Sequence, residues 1–216
     1  MASPPQLPLA DDLFLSAHDS VKGKSILSPA TLGLGLAAAL IGELILWRRA
    51  DLKDGLITIV DDRPTTDPAS TAVLEQLIKE AQHRQIREWI AFLSTGVATD
   101  LVARRLARSG LVHRQEKRGL LSTKVTYVPV DTSTAGWPGS RIRTLVGRGE
   151  LLDIPDLVFS GLVLATGLDQ QIFFTLDARE RGHLFDQLRR RLPAMLQELV
   201  AHAEAAVGDA VMARRA

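Results

Sequence analysis

The sequence predicts a mainly α-helical fold, a single globular domain with a central helical bundle, surrounding amphipathic helices and one or two small β-hairpins. Three observations lead to this fold class. Apolar residues recur at helical spacing through most of the 216 residues, which is typical of helices packed on a shared core. One run, from Ala30 to Trp47, is apolar on nearly all sides and is predicted to be the central helix. Only two short segments are predicted to form β-structure, a strand after a turn at Gly55 and a β-hairpin further along the chain.

The central helix has clear start and stop signals. Ser28 supplies an N-cap and Pro29 a first-turn proline. Glu43 interrupts the apolar run and Arg48 follows its end, so the segment is too short and too charged for a bilayer and is expected to lie in a protein core. Glu43 itself is expected to pair with a structural arginine.

The other elements are predicted in chain order. Residues 1–10 are proline-rich, lack the basic start of an export signal and are expected to form a flexible N-terminal tail, with the domain at 11–216 and its ordered part beginning at Leu13. A short strand is expected within Asp51–Val60, then helices at Ala69–Lys79, from Ile86 and at Thr99–Ser109. A β-hairpin follows within Leu111–Val130, then a loop at Thr132–Ser140. The last helices are expected at Arg141–Gly147, Ile154–Gly167 and Asp177–Ala213, the last kinked or split by Pro193.

Composition excludes several kinds of chemistry. The chain has no cysteine, which excludes disulfides, thiolate nucleophiles and cysteine-bound metals. Its five histidines are scattered, and no phosphate-binding loop or serine-nucleophile motif occurs. We therefore predict no catalytic residue, no metal and no cofactor. With a net charge of +1, attraction to an anionic surface has to come from a local patch.

One segment concentrates the positive charge. Seven cations and a single acid lie between Arg104 and Lys124, and clustered cations beside apolar residues suit an anionic lipid surface. Six of the cations are predicted to bind lipid headgroups: Arg104, Arg105, Arg108, Arg114, Lys117 and Arg118. Three apolar residues are predicted to anchor the protein in the bilayer interface: Trp137, Leu120 and Leu121.

Other interpretations of this segment remain open. The cations are also consistent with a solvated helix face and a charged hairpin tip that prevents edge pairing, and Trp137 with ordinary packing. A basic helix, Gly110 and a basic hairpin also match the recognition helix and wing of a nucleic-acid-binding winged helix. An enzyme whose catalytic side chains converge only in the fold is the third alternative.

Five sequence blocks, taken together, resemble the Golgi phosphoprotein 3 family, in particular its shorter bacterial members. The blocks are Leu13–Leu15 with the turn at 19–23, Ala37–Leu44 with Asp51-Leu52, Trp89-Ile90 with Leu93-Ser94, Arg104–Val112, and Leu162–Leu168. Their order and spacing carry the resemblance, which covers about Leu7 to Val200. It implies a mainly helical domain with a β-hairpin that helps membrane contact or self-association.

The resemblance also implies a function. Eukaryotic members are peripheral membrane proteins that bind phosphatidylinositol 4-phosphate and retain glycosyltransferases in the Golgi. By resemblance, this chain is expected to be a non-enzymatic adaptor, cytoplasmic and peripheral on the inner face of the membrane. The implied partners are an anionic phospholipid surface, client membrane proteins and a second copy of the chain, and not nucleic acid.

The family's lipid pocket is not expected to be kept. Its tryptophan and arginines correspond here to Ser28, Ala37 and positions near Gly96 and Thr99, none of which carries the side chain that the pocket needs. The basic cluster is expected to take its place.

Overall fold

The computed structural model describes residues 7–19, 24–82, 85–118 and 123–214, without the side chains of residues 117, 118, 123, 124 and 132. Over these residues it contains ten helices and two antiparallel two-stranded hairpins, which confirms the predicted fold class. The helices are α1 Leu9–Ser16, α2 Pro29–Leu46, α3 Pro68–Lys79, α4 Ile86–Ser94, α5 Val97–Arg108, α6 Thr132–Gly147, α7 Ile154–Ala165, α8 Asp169–Ile172, α9 Ala178–Arg191 and α10 Ala194–Ala213. The strands are β1 Ala50–Lys53, β2 Leu56–Ile59, β3 Val112–Arg118 and β4 Thr123–Pro129.

The central helix α2 forms as its sequence signals predict. The Ser28 side chain accepts a hydrogen bond from the backbone N–H of Thr31 at 3.1 Å, and Pro29 occupies the first turn. By length and apolarity α2 meets the criteria for a membrane span, but 83% of it is buried inside the domain. The helices α1, α3, α4, α5, α7 and α10 pack around it. It is therefore the core helix, as predicted.

Two regions differ from the sequence-based expectation because of local backbone geometry. The single strand expected within Asp51–Val60 is a hairpin, since Asp54 and Gly55 both adopt positive φ, 54° and 75°, the conformation of a tight turn between paired strands. The loop expected at Thr132–Ser140 is the first half of α6. Asp131 caps this helix by accepting from the Thr134 N–H at 2.6 Å, and the helix continues through Pro138.

The two chain ends also refine the prediction. The helix α1 begins at Leu9, inside the segment expected to be a tail, and residues 1–6 of that segment lie outside the described residues. At the other end, Pro193 separates α9 from α10, which confirms the predicted split.

The contact between α2 and α4 depends on a residue without a side chain. A Cβ on Gly33 would lie 2.5 Å from the backbone carbonyl oxygen of Ser94. We expect Gly33→Ala to lower the free energy of unfolding by about 1–3 kcal/mol, because backbone has to move to relieve the overlap.

The matched control for this substitution is Gly208→Ala in α10. A Cβ on Gly208 meets nothing within 4 Å, so we expect this change to raise the free energy of unfolding by up to about 1 kcal/mol. Urea denaturation of both variants measures the difference. Equal stability of the two would contradict the close α2–α4 packing.

Candidate functional site

Arg105 of α5 is buried in the domain, where it bonds to three carboxylates. The residue is 7% exposed. Its Nε donates to Asp11 Oδ1 at 2.8 Å, and its Nη1 donates to Asp67 Oδ2 at 2.8 Å. Its two Nη atoms also donate to the two carboxylate oxygens of Glu43, each at 2.9 Å. These bonds join α5 to α1, to α2 and to the residue that caps α3.

Glu43, the acid within the apolar run of α2, has a donor for each of its bonding positions. Besides Arg105, it accepts from the Ala10 backbone N–H at 2.8 Å and from the Ser70 hydroxyl at 2.6 Å. A buried carboxylate is tolerated when it is both paired and hydrogen-bonded. The expected pairing of Glu43 with a structural arginine is therefore confirmed.

A second arginine forms a neighbouring centre. Arg141 of α6 donates through Nη2 to Asp12 Oδ2 at 2.8 Å, and through Nε and Nη2 to Asp156 Oδ1 at 3.0 and 2.6 Å. Among the described residues, Asp12 Oδ1 and Arg141 Nη1 are buried without a hydrogen-bond partner. We call the two centres together the buried ion network, which consists of Arg105, Arg141, Asp11, Asp12, Glu43, Asp67 and Asp156.

Burial changes the acidity of the two α1 carboxyls. It raises the pKa of Asp11 to about 7, although Arg105 acts in the opposite direction. It likewise raises the pKa of Asp12 to about 6 against the effect of Arg141. For Arg105, burial would lower the pKa, but the hydrogen bonds and charge of Glu43 raise it. The guanidinium therefore stays charged.

The position of Arg105 corrects the predicted lipid-binding set. Its guanidinium faces the core and its donors are already bonded to Asp11, Glu43 and Asp67, so the inclusion of Arg105 in an exposed basic patch is wrong. The physical reason is helix geometry: Arg104 and Arg108 share one face of α5, and Arg105 points away from it.

Among the described side chains of the cluster, the exposed arginines are Arg104, Arg108 and Arg114, which we call the arginine patch. Arg104 pairs with Asp100 one turn earlier in α5. Arg114 pairs with Glu116 and interacts with Tyr127, its cross-strand neighbour in the hairpin. Arg108 is exposed. The patch therefore carries three cations, two of which have acidic neighbours.

The structure describes the remaining predicted site residues only in part. Lys117 and Arg118 lie in β3, paired with Lys124 and Thr123, and their side chains are outside the described part of the structure. Leu120 and Leu121 also lie outside the described residues. The side chain of Trp137 is partly buried in α6 with its indole N–H enclosed, whereas a bilayer anchor presents its ring to the interface.

A groove of about 620 Å³ lies beside the arginine patch. It is bordered by the start of α2, the α4–α5 turn, the first turn of α5 and the β3–β4 hairpin. Its lining residues are Pro29, Ala30, Ser94, Thr95, Gly96, Thr99, Asp100, Arg114, Val125 and Tyr127. Two helix N-termini and one guanidinium therefore meet at one opening.

The start of α5 leaves backbone donors available to this groove. Gly96 occupies the N-cap with φ of 116° and makes no side-chain capping bond. The hydroxyls of Ser94 and Thr95 donate instead to carbonyl oxygens of α4. The first N–H groups of a helix lack partners within the helix and favour anions. Chemically, the groove suits a small anionic group, with Asp100 as its one acidic lining residue.

Sequence reasoning missed this groove, although it had named positions around it. Gly96 and Thr99, near which the resemblance places lipid-site residues, line the groove, and Ser28 precedes its lining residue Pro29. Ala37 is instead fully buried within α2. The sequence signal for the groove was the predicted hairpin after α5, because it contains both Arg114 and Tyr127. These two residues stand opposite each other in the hairpin and line the groove.

Among the described residues, no three His, Asp or Glu side chains are grouped so that they could hold a metal ion.

Comparison with known protein families identifies the family of this chain. The family model for Golgi phosphoprotein 3 (GPP34) matches residues 9–213, nearly the whole chain. The chain belongs to the Golgi phosphoprotein 3 family. A search of curated proteins finds no match. Family membership confirms the resemblance drawn from the five sequence blocks, and the match begins at the first residue of α1.

The buried ion network of this Golgi phosphoprotein 3 family member leads to a stability prediction. We expect Arg105→Met to lower the free energy of unfolding by about 3–5 kcal/mol, because it leaves the buried carboxylates of Asp11 and Glu43 without their compensating charge. Urea unfolding followed by tryptophan fluorescence measures the loss.

Arg104→Met is the control, since it removes the same charge from the adjacent residue. Its exposed pair with Asp100 should contribute less than about 1 kcal/mol. Similar losses for the two variants would contradict the assignment of Arg105 to the interior.

Proposed function

We propose that this protein is a non-enzymatic, peripheral membrane adaptor that binds anionic phospholipid headgroups through the arginine patch and the adjoining groove. The observation that carries the proposal is that Arg114 and the uncapped start of α5 border one groove. Membership of the Golgi phosphoprotein 3 family supports an adaptor role. The proposed lipid-binding surface lies on the side of the domain formed by α5 and the β3–β4 hairpin.

The two parts of this surface have different roles in the proposal. The groove receives a phosphate group, because the first N–H groups of α5 and the Arg114 guanidinium both favour an anion. Arg104 and Arg108 lie one turn apart on the exposed face of α5 and contact neighbouring headgroups. Each cation close to an acidic bilayer contributes about 1 kcal/mol.

The alternative of a winged-helix nucleic-acid-binding protein has less support. A recognition helix presents several side chains to a groove of DNA. With Arg105 buried, α5 presents Arg104 and Arg108, and Arg104 already pairs with Asp100.

Vesicle flotation tests the proposal with three compositions: phosphatidylcholine alone, phosphatidylcholine with phosphatidylglycerol, and phosphatidylcholine with phosphatidylinositol 4-phosphate. We expect binding to require an anionic lipid and to weaken as salt rises, since exposed charges are screened. The double variant Arg104→Glu/Arg108→Glu should bind at least about 25-fold more weakly, which corresponds to about 1 kcal/mol for each cation lost.

The matched control is Arg179→Glu/Arg190→Glu, which changes the net charge equally at two exposed positions of α9. It should bind nearly as the unmodified protein does. Equal binding to neutral and acidic vesicles, or equal loss in both double variants, would contradict the proposal. A mobility shift with duplex DNA that Arg104→Glu/Arg108→Glu abolishes, without vesicle binding, would replace it with the nucleic-acid alternative.

The acidic neighbours of the patch give a prediction of opposite sign. Asp100 and Glu116 pair with Arg104 and Arg114 and compete with lipid phosphate for them. We expect Asp100→Asn and Glu116→Gln each to strengthen binding to acidic vesicles several-fold, on the order of fivefold for about 1 kcal/mol.

Flotation of the same vesicles measures this gain, and Asp186→Asn in α9 is the control, since it frees Arg189 far from the patch in sequence. Weaker binding of the Asp100→Asn and Glu116→Gln variants would show that these acids contact the lipid directly, contrary to the prediction.

A further inference from the structure

The buried ion network contains more carboxylates than cations. Two guanidiniums, of Arg105 and Arg141, face five carboxyl groups, of Asp11, Asp12, Glu43, Asp67 and Asp156. Four of these acids are at most 3% exposed, and Asp67 is the more open one. A cluster with three uncompensated negative charges in a protein interior is costly, and buried carboxyl groups lower that cost by taking up protons.

The donors in the network are unevenly distributed. Glu43 accepts four hydrogen bonds, from Arg105, Ala10 and Ser70. Asp67 accepts from Arg105 and from the Ser70 N–H at the start of α3. The N-terminus of a helix adds a favourable partial charge for such an acid.

The acids of α1 receive the fewest donors. Among the described residues, Asp11 accepts one hydrogen bond, from Arg105, and Asp12 accepts one, from Arg141, while Asp12 Oδ1 is buried without a partner. Asp156, which shares Arg141, accepts two bonds from it. The excess negative charge of the network therefore falls on two adjacent residues of α1.

We propose that Asp11 and Asp12 form a proton-binding site within the buried ion network, and that the bound proton holds α1 against the rest of the domain. In this state at least one carboxyl group of the pair is neutral, and the network carries less negative charge. When both groups ionise, their protons pass to solvent and α1 loosens, because Glu43 and Asp67 then repel the charge of Asp11, and Asp156 and Glu43 repel that of Asp12.

The groups around α1 support the proposal that ionisation of Asp11 and Asp12 acts on the packing of this helix. Every residue of α1 is buried, and α1 packs on α2, α5, α6 and α7. The charged groups that these helices direct toward Asp11 and Asp12 are Glu43, Arg105, Arg141 and Asp156, with Asp67 reaching them through Arg105. Beyond the end of α1, burial lowers the pKa of His18, whose ring stacks on Phe14. Burial thus favours the neutral form of the His18 ring over a charged form that would offset the acids.

The sign of the pH dependence follows from the acidity of the pair. Burial raises the pKa of both carboxyls in the folded protein, to about 7 for Asp11 and about 6 for Asp12, above about 3.9 for an unperturbed aspartate. The folded state therefore binds more protons than the unfolded state between these values. The stabilisation that these protons give is complete below about pH 3.9 and is lost progressively as the pH rises through the folded pKa values of about 6 and 7.

Carbon-13 NMR of the aspartate carboxyl carbons tests the proton site directly in the unmodified protein. We expect two carboxyl resonances to titrate with midpoints near 7 and 6, and each to disappear in one of the variants Asp11→Asn and Asp12→Asn. Asp209→Asn, at an exposed position of α10, is the control and should leave both midpoints in place. Midpoints near 4 for every aspartate would overturn the proposal.

Hydrogen exchange tests the effect on α1. We expect the protection factors of the Leu13, Phe14 and Leu15 amides, corrected for intrinsic exchange, to fall at least tenfold between pH 5.5 and 8, while those in the middle of α10 stay constant. In Asp11→Asn this fall should shrink or vanish. If the carboxyl groups titrate near pH 6 and 7 but the amide protection factors of α1 stay constant, the proposal that the proton holds α1 in place is overturned. Because neither measurement uses lipid, both outcomes are independent of the proposed membrane function.

Discussion

A single guanidinium, that of Arg105, joins four parts of the fold through hydrogen bonds to Asp11 in α1, Glu43 in α2 and Asp67 at the cap of α3. Charges buried this deeply are tolerated only when their partners are held at bonding distance, because any opening leaves an uncompensated charge in an apolar interior. The network therefore adds directional hydrogen bonds to the apolar packing of these helices. It also fixes the rotation of α5 about its own axis.

That rotation decides which arginines of the segment reach solvent. Arg104, Arg105 and Arg108 are close in sequence and equal in charge, yet Arg105 lies in the interior and the other two belong to the arginine patch. Sequence alone predicts that Arg104 and Arg108 share a face. The signal for Arg105 was also present, since it follows Val102 by three residues and so lies near the apolar stripe that enters the core. Glu43, already expected to need an arginine, was the missing partner.

The sequence predicts best those elements whose causes are local. The helix α2 has its own cap and an unbroken apolar run, and Pro193 divides the last helices through its own ring. The helix α1 is different, because two adjacent acids, Asp11 and Asp12, are unfavourable in an interior unless each has a cationic partner. Those partners are Arg105 and Arg141, which lie 94 and 129 residues further along the chain. The first half of α6 is similar, since its glycines and Pro138 favour a loop and the packing of α6 on α1 overrides them. The groove could not be predicted, because it forms only where three separated segments meet.

The distribution of charge explains why the net charge of the chain gives too low an estimate of the positive charge at the arginine patch. The net charge of +1 includes the acids of the buried ion network, which outnumber its guanidiniums and do not face solvent. A proton on Asp11 or Asp12 would remove one negative charge from α1, which packs on α5, the helix that carries Arg104 and Arg108. Proton uptake and attraction to an anionic surface therefore have the same sign. For the proposed lipid binding, linkage then requires that an anionic bilayer at the arginine patch and a proton on α1 favour each other's binding.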